Sequence, residues 1–274
     1  MISPSKGHPP PKIVLSIFLA VAMLQIPAEL IVGGYSAAWG ILINEILFIL
    51  LVPVLILLLC GYNPLPPMRM GRIGKRRMVV AVCMTLGGAV LISYAQSASL
   101  ELVRIPAYLS EGASRPMEIY SWKDFYLKLL LLGLLAPVCE ETLFRGIIQT
   151  SLARSWGDGR AILVTAVFFT LIHSATFQPH LYLMLGLLLS WIYAKTRSLR
   201  TVILCHAINN SWVLANRTHG FSLPIDPGFG ATDLALISSG AFIVAAGAFW
   251  MHRMGRNVGE ARTGISPGQR RQAP

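Results

Sequence analysis

Residues 139–146 read CEETLFRG and lie inside an apolar run that begins near Phe125. The carboxylates of Glu140 and Glu141 and the guanidinium of Arg145 therefore fall where a lipid bilayer would be. Each such charge costs about 2.5–3.5 kcal/mol at the centre of a membrane helix unless it is paired or faces a wet cavity. Ionisable clusters at membrane depth are rare and mark functional sites. The stretch predicts a membrane helix that carries a site, with the rest of the chain built around it.

The composition indicates an integral membrane protein. Of 274 residues, 54% are hydrophobic and 13% are charged, and the mean hydropathy is +0.62, whereas a soluble domain has about 25% charged residues. The net charge of +11 comes from basic residues at the ends of apolar runs, as the positive-inside rule describes. We therefore expect no nucleic-acid partner. The four cysteines show no CxxC spacing, which predicts no disulfide framework.

Apolar runs long enough to cross a bilayer predict an all-α polytopic membrane bundle with about eight transmembrane helices. The predicted spans are 13–32, 38–60, 78–98, 125–150, 161–177, 181–194, 201–214 and 234–251. Lys and Arg residues concentrate in alternate loops, which predicts that both termini are cytoplasmic. We expect a disordered N-terminus at 1–11, one transmembrane domain at 12–258 with a candidate catalytic core at about 125–215, and a disordered tail at 259–274.

Helical spacing separates the roles of the two adjacent carboxylates. Glu141 and Arg145 are spaced i, i+4 in the favourable acid-before-base order, so we expect them to pair. Glu140 points about 100° away and has no such partner, so the two carboxylates are not expected to face the same target. The alternative is a purely structural network of buried ion pairs. Glu45 and Asn44, polar at membrane depth in the second span, are predicted to serve helix packing rather than to line the cavity.

Two later spans carry further polar residues at membrane depth. His173 lies in the fifth span, and His206 and Asn210 are spaced i, i+4 on one face of the seventh. Measured from the predicted cytoplasmic helix ends, these residues and Glu140 lie about 8–18 Å deep at 1.5 Å per residue, with His206 shallowest. This depth permits them to meet in the cytoplasmic half of the membrane.

Two chemistries fit this set of residues, and both hydrolyse an amide. In the first, Glu140 is the general base on a water that His173 helps to hold, and His206 and Asn210 donate hydrogen bonds to the oxyanion of a tetrahedral intermediate. In the second, Glu140, His173 and His206 bind Zn²⁺, with water at the open fourth position. The spacing leaves both open.

Three motifs occur in order along these spans: EETLFR at 140–145, F-x-x-x-H at 169–173 and H-x-x-x-N at 206–210. Together they resemble the motifs of the CPBP family (CAAX protease and bacteriocin-processing, also called Abi) of intramembrane endopeptidases, to which the type II CAAX prenyl endopeptidases belong. The resemblance covers about 127–213. It implies catalytic roles for Glu140, His173, His206 and Asn210, and supporting roles for Glu141, Arg145 and Phe169.

The resemblance also implies a membrane-associated protein or peptide as substrate, and a multi-pass location in the plasma membrane if the cell is bacterial. The family is described both as metallo- and as glutamic-type. We favour the glutamic type, without a cofactor, because an asparagine suits an oxyanion donor better than a zinc ligand. Since the family includes bacteriocin-immunity proteins, the alternative is a non-catalytic immunity or partner-binding membrane protein of the same fold. A transporter is disfavoured, because no pair of Gly/Pro-broken helices recurs in matching halves.

Overall fold

The computed structural model describes residues 7–32, 37–64, 74–102, 118–173, 178–218 and 230–263. Within these ranges the chain forms eight continuous helices, each overlapping one predicted span, so the all-α class is confirmed. Their bounds are Pro11–Val32 (α1), 37–59 (α2), Lys75–Leu102 (α3), 122–156 (α4), Asp158–Ile172 (α5), Pro179–Thr196 (α6), Leu199–Asn216 (α7) and Ala231–Thr263 (α8).

Helices α2 and α4 change their hydrogen-bond register along their length. Residues Asn44–Leu51 of α2, and Leu129–Leu135 and Thr142–Gln149 of α4, are π-helical. Between the two π-helical stretches of α4 lie six α-helical residues, Ala136–Glu141. This short segment ends on the two adjacent carboxylates. Single π-helical turns within α-helices are frequent at functional sites.

A proline explains part of this irregularity in α4. The N–H of Ala136 bonds the carbonyl of Leu131, five residues back. In the same register, the N–H of residue 137 would bond the carbonyl of Leu132. Residue 137 is Pro137, which has no N–H. The carbonyl of Leu132 is therefore left for another donor.

Helix α4 lies at the centre of the bundle. Its second half contacts α5, α6 and α7, and Ala136–Glu141 contacts α2 and α7. Every residue from Cys139 to Leu152 of α4 is buried, so this part of the helix is enclosed by its neighbours, whereas Leu130, Leu134 and Val138 in its first half are exposed. Helices α3 and α8 form another extensive pair.

Several helix ends differ from the predicted ones. Helix α5 ends at Ile172 with His173 as its C-cap, so its predicted continuation to 177 was wrong at His173, and residues 174–177 lie outside the described ranges. Helix α4 continues to Trp156 and α8 to Thr263, past the predicted ends at 150 and 251. Residues 1–6 and 264–274 lie outside the described ranges, as do residues 33–36, 103–117 and 219–229 between predicted spans.

Three described helical segments are long and apolar enough to cross a membrane, judged by length and composition: Ala38–Leu59, Lys75–Leu100 and Ala231–Met254. Large apolar side chains such as Leu59, Phe242 and Phe249 point outward, as expected for helices that face lipid. These features support a membrane protein. The total of eight crossings stays a prediction. All four cysteines are free thiols, as predicted.

Candidate active site

Polar residues from α4, α5 and α7 meet in one buried cluster. Oε2 of Glu140 lies 3.7 Å from Nε2 of His173 and 3.9 Å from Nε2 of His206. Both separations exceed a direct hydrogen bond, and no described residue hydrogen-bonds to this oxygen of Glu140. Polar atoms at such distances are commonly joined by a shared water. Glu140 is 6% exposed and His206 is 2% exposed, so that water would be largely enclosed by protein.

Glu141 holds the neighbouring charges together. It is fully buried, and its Oε1 accepts hydrogen bonds of 2.7 Å from Nη1 of Arg145 and 2.7 Å from Nδ1 of His206. The pair with Arg145 is the one that the i, i+4 spacing predicts. The expectation that the two carboxylates cannot face one target was wrong. The His206 ring lies between the two carboxylates. Glu141 contacts Nδ1 on one edge of the imidazole, and Glu140 approaches Nε2 on the other edge.

Arg145 ties three helices together. Its side chain is fully buried, and Nη2 donates to the carbonyl of Gly186 on α6 at 3.1 Å. The guanidinium carbon lies 4.9 Å from the centre of the Phe169 ring on α5, a cation–π distance. A Cβ at Gly186 would lie 3.2–3.3 Å from atoms of Ala166 on α5. Glycine therefore allows the close approach of α6 that presents this carbonyl to Arg145.

His173 is held by a carbonyl and an aromatic ring. Its Nδ1 lies 2.8 Å from the carbonyl oxygen of Phe169, and because a carbonyl only accepts, this nitrogen carries the proton. The opposite nitrogen, Nε2, faces Glu140. The ring of Tyr182 on α6 stacks on the imidazole, with centroids 4.5 Å apart and planes at 15°. Tyr182 was not among the predicted site residues, because a tyrosine in an apolar helix usually belongs to the core.

The cluster lies further from the basic helix ends than predicted. With the observed bounds of α4 and α5, Glu140 and His173 are about 22–24 Å along their helices from the Gly157 turn, at 1.5 Å per residue. The prediction was too shallow because it ended α4 early and started α5 late. His206 is only about 10 Å along α7. The first residue of α7, Leu199, is itself fully buried, so α7 starts inside the bundle.

Asn210 joins α7 to α4. Its Nδ2 donates to the carbonyl of Leu132 at 2.9 Å, which is the carbonyl that Pro137 leaves without an N–H. A side-chain amide has two N–H groups, so the second one is available to another acceptor. The motif asparagine is thus fixed to the segment of α4 that precedes Glu140.

Glu45 lies at the edge of the cluster. It is 6% exposed, and its Oε1 accepts from Nδ2 of Asn44 at 3.1 Å, while Oδ1 of Asn44 accepts from Gln25 of α1 at 3.0 Å. The packing role predicted for Glu45 and Asn44 is therefore present. Glu45 is also close enough to Glu140 for charge–charge repulsion, so it contributes to the electrostatics of the cluster. The sequence did not indicate that Glu45 lies near Glu140, because the two residues are on different spans.

The side chains in the cluster, two imidazoles and a carboxylate, are of the types that bind Zn²⁺. They lie too far apart, however, to share one ion. His173 and His206 each use Nδ1 on an oxygen acceptor and turn Nε2 toward Glu140, as metal-binding histidines do. Within the described part of the chain, however, no three His, Cys, Asp or Glu side chains are grouped closely enough to hold a metal ion.

Comparison with known proteins supports the family that the motifs indicated. Residues 122–212 match the model of the family described as type II CAAX prenyl endopeptidase Rce1-like. This segment runs from α4 into α7 and contains the whole cluster except Glu45. A curated relative, "Putative membrane peptidase YdiL" of Bacillus subtilis (strain 168), is 27% identical over 88 residues. That alignment covers 32% of this chain and 36% of the relative, so the chain spans about a third of the relative's length. No solved structure matches the chain.

Proposed function

Because the segment that builds the cluster matches a CAAX protease family, we propose that this chain is an intramembrane endopeptidase. Its substrate is a membrane-associated protein or peptide, and its reaction is hydrolysis of a peptide bond. The observation that carries the proposal is the approach of one carboxylate oxygen, Oε2 of Glu140, to imidazoles from two other helices. Such an arrangement suits a water held between a general base and two polar rings in an apolar bundle.

In the glutamic-type mechanism, Glu140 is the general base. Its Oε2 accepts a hydrogen bond from the water and takes a proton as the water oxygen attacks the carbonyl carbon. His173, oriented by the Phe169 carbonyl and the Tyr182 ring, holds the same water through Nε2. The proton then passes from Glu140 to the amine nitrogen as the C–N bond breaks. The carboxylate is thereby regenerated.

His206 and Asn210 stabilise the oxyanion of the tetrahedral intermediate. The second N–H of Asn210 is one donor. Since Nδ1 of His206 already donates to Glu141, Nε2 donates only when the ring is an imidazolium, and Glu141 is then its counter-ion. Arg145 balances the charge of Glu141 on its other side. Loss of one oxyanion donor typically lowers kcat about 10²–10³-fold.

A zinc-dependent version of the same hydrolysis is the second candidate. It is favoured by the way in which both histidines direct Nε2 toward Glu140. To hold the ion, Glu140, His173 and His206 would have to lie closer together than they do in this structure; the ion would then supply an activated water. Purified protein treated with a chelator, with its metal content measured, separates the two versions. Full cleavage by metal-free protein supports the glutamic type, and loss of cleavage that Zn²⁺ restores supports the metal.

We further propose a multi-pass topology of eight crossings with both termini in the cytoplasm, in the plasma membrane if the cell is bacterial. Its support is the basic turn between α4 and α5 and the basic turn after α6. An ion pair between Arg197 and Asp158, at 2.5 Å, joins these turns, so their positive charge lies at one end of the bundle.

Mass spectrometry of membrane-protein termini tests the proposed activity without a prior guess about substrate. Cells with wild-type protein are compared with cells expressing Glu140→Gln or His173→Ala at equal levels in the membrane. We expect peptide ends that appear only with the wild type. Arg160→Gln, an exposed position remote from the cluster, is the control that keeps cleavage. Identical termini with wild type and Glu140→Gln would favour the non-catalytic immunity or partner-binding protein.

A further inference from the structure

A polar cavity of about 300 Å³ lies at the end of α4–α6 away from His173. Its walls come from the end of α4, the start of α5 and the end of α6. The lining residues are Thr150, Ala153, Arg154, Asp158, Tyr193 and Arg197. A volume of this order is at the lower end of the range for ligand pockets. The proposed hydrolysis makes no use of it.

Two tight turns form the mouth of this cavity. Gly157 (φ 80°) joins α4 to α5, and Arg197 (φ 51°) ends α6. A left-handed conformation is uncommon for a residue other than glycine, and Arg197 makes two contacts in it. Its N–H donates to the carbonyl of Tyr193 at 2.7 Å. Its Nη2 lies 2.7 and 2.5 Å from the two carboxylate oxygens of Asp158. The arginine is therefore fixed at the cavity wall.

The lining carries excess positive charge and hydroxyl groups. Arg154 is exposed and forms no hydrogen bond or ion pair with the other residues that the structure describes, so the lining has one more cation than Asp158 neutralises. Behind the arginines, Oγ1 of Thr150 and the hydroxyl of Tyr193 lie 2.7 Å apart. Guanidinium groups bind phosphate oxygens through short, charge-assisted hydrogen bonds.

Aromatic residues indicate that the cavity lies at the level of lipid headgroups. Trp156, beside the Gly157 turn, is 43% exposed, and Nζ of Lys195 lies 5.6 Å from the centre of the Trp191 ring. Tryptophans are enriched where the membrane meets water. Basic pockets between membrane helices at this level bind acidic headgroups.

We propose that this cavity binds the phosphate of an acidic membrane phospholipid. Arg154 and Arg197 hold the phosphate oxygens, and the acyl chains run along the outside of the bundle. Thr150 also donates to the carbonyl of Arg145 at 2.9 Å. A bound headgroup therefore steadies the part of α4 from which Arg145 reaches the catalytic cluster.

Native mass spectrometry of the purified full chain in detergent tests this proposal. The probes are phosphatidylglycerol and, as a neutral headgroup, phosphatidylcholine with the same acyl chains. We expect tighter binding of phosphatidylglycerol. Arg154→Gln should weaken it at least about tenfold, as expected for the loss of a charge-assisted hydrogen bond. Arg160→Gln is the matched control, an exposed arginine at the same end of the bundle but outside the lining, and it should leave the affinity unchanged.

A second variant predicts the opposite change. Asp158→Asn removes the negative charge from the lining and releases Arg197 for the ligand, so it should raise the affinity for phosphatidylglycerol. The variant should fold normally, because the side chains of this ion pair are 41% and 48% exposed and such pairs contribute little to stability. A lower affinity for Asp158→Asn would count against the proposal.

Three other results would overturn it. Equal losses for Arg154→Gln and Arg160→Gln would mean diffuse attraction to surface charge. Equal affinity for the two lipids would mean that the cavity does not distinguish the acidic headgroup from the neutral one. Inorganic phosphate is the third probe. If it binds as tightly as phosphatidylglycerol, the ligand is a free phosphate and not a lipid. None of these measurements depends on cleavage, so a failure of the proposed protease activity is distinguishable from a failure here.

Discussion

The buried pair of Glu141 and Arg145 gives a quantitative prediction for stability. Both side chains are fully buried, and Glu141 binds Arg145 and His206 at 2.7 Å each. Glu141→Gln removes the charge and leaves the guanidinium with the Gly186 carbonyl and the Phe169 ring. Breaking a buried pair by removing one partner costs about 3–5 kcal/mol. Arg145→Met should cost a similar amount, because the carboxylate is then left with His206 alone.

The double variant, Glu141→Gln with Arg145→Met, tests why the single variants are unstable. Replacing a buried ion pair with uncharged side chains of similar volume is often neutral. The main remaining loss is the hydrogen bond from Arg145 to the Gly186 carbonyl, which is about 1.5–3 kcal/mol for a charged donor; this carbonyl keeps its helical bond within α6. We therefore expect the double variant to be more stable than either single variant.

Reversible unfolding in mixed micelles of sodium dodecyl sulfate and a mild detergent measures these free energies. Asp158→Asn, which breaks an exposed ion pair, is the control and should cost at most about 1 kcal/mol. If the double variant loses the sum of the two single losses within about 0.5 kcal/mol, the charges do not neutralise each other and the reasoning fails. Cleavage should stay impaired in the double variant, because His206 has lost its counter-ion. The measurements of unfolding and of cleavage therefore separate the effect on stability from the effect on catalysis.

Two further predictions concern residues that position the site. Tyr182→Phe keeps the ring that stacks on His173 and should keep cleavage. Tyr182→Leu should lower kcat about two- to thirteenfold, the value of an aromatic stack of about 0.5–1.5 kcal/mol. Initial rates with KM unchanged would show this, and equal rates for the two variants would contradict it. Pro137→Ala restores a backbone N–H that competes with Asn210 for its carbonyl, so it should lower kcat at least about tenfold without lowering the free energy of unfolding. An unchanged kcat in single-turnover measurements would mean that this carbonyl does not position Asn210.

The order of the eight helices in the described ranges could be predicted because each coincides with an apolar run, and such a run is a local property of the sequence. The pair of Glu141 and Arg145 could be predicted for the same reason, since i, i+4 neighbours meet on any helix. The end of α5 could not. There the backbone turns at His173, whose side chain binds the carbonyl of Phe169, and no glycine or asparagine follows to mark the C-cap.

Other features of the site depend on contacts between helices. The carbonyl of Leu132 is left for Asn210 because Pro137, which has no N–H, comes just after the first π-helical stretch of α4, and sequence periodicity does not reveal that stretch. The stacking of Tyr182 on His173 depends on how closely α6 approaches α5. Such features depend on the distances between helices, which cannot be predicted from the sequence of one helix alone.

The close approach of α6 to α5 at Gly186 has a consequence for genetics and engineering. Gly186 has no side chain and belongs to none of the three motifs, yet a Cβ at this position would lie 3.2–3.3 Å from Ala166, so a side chain larger than that of alanine should push α6 away and withdraw a carbonyl from Arg145. A random-mutagenesis screen for lost cleavage should therefore recover Gly186→Val together with changes at Glu140. Anyone who transplants this cluster into a smaller scaffold has to transfer the contact of glycine with alanine as well as the charged residues.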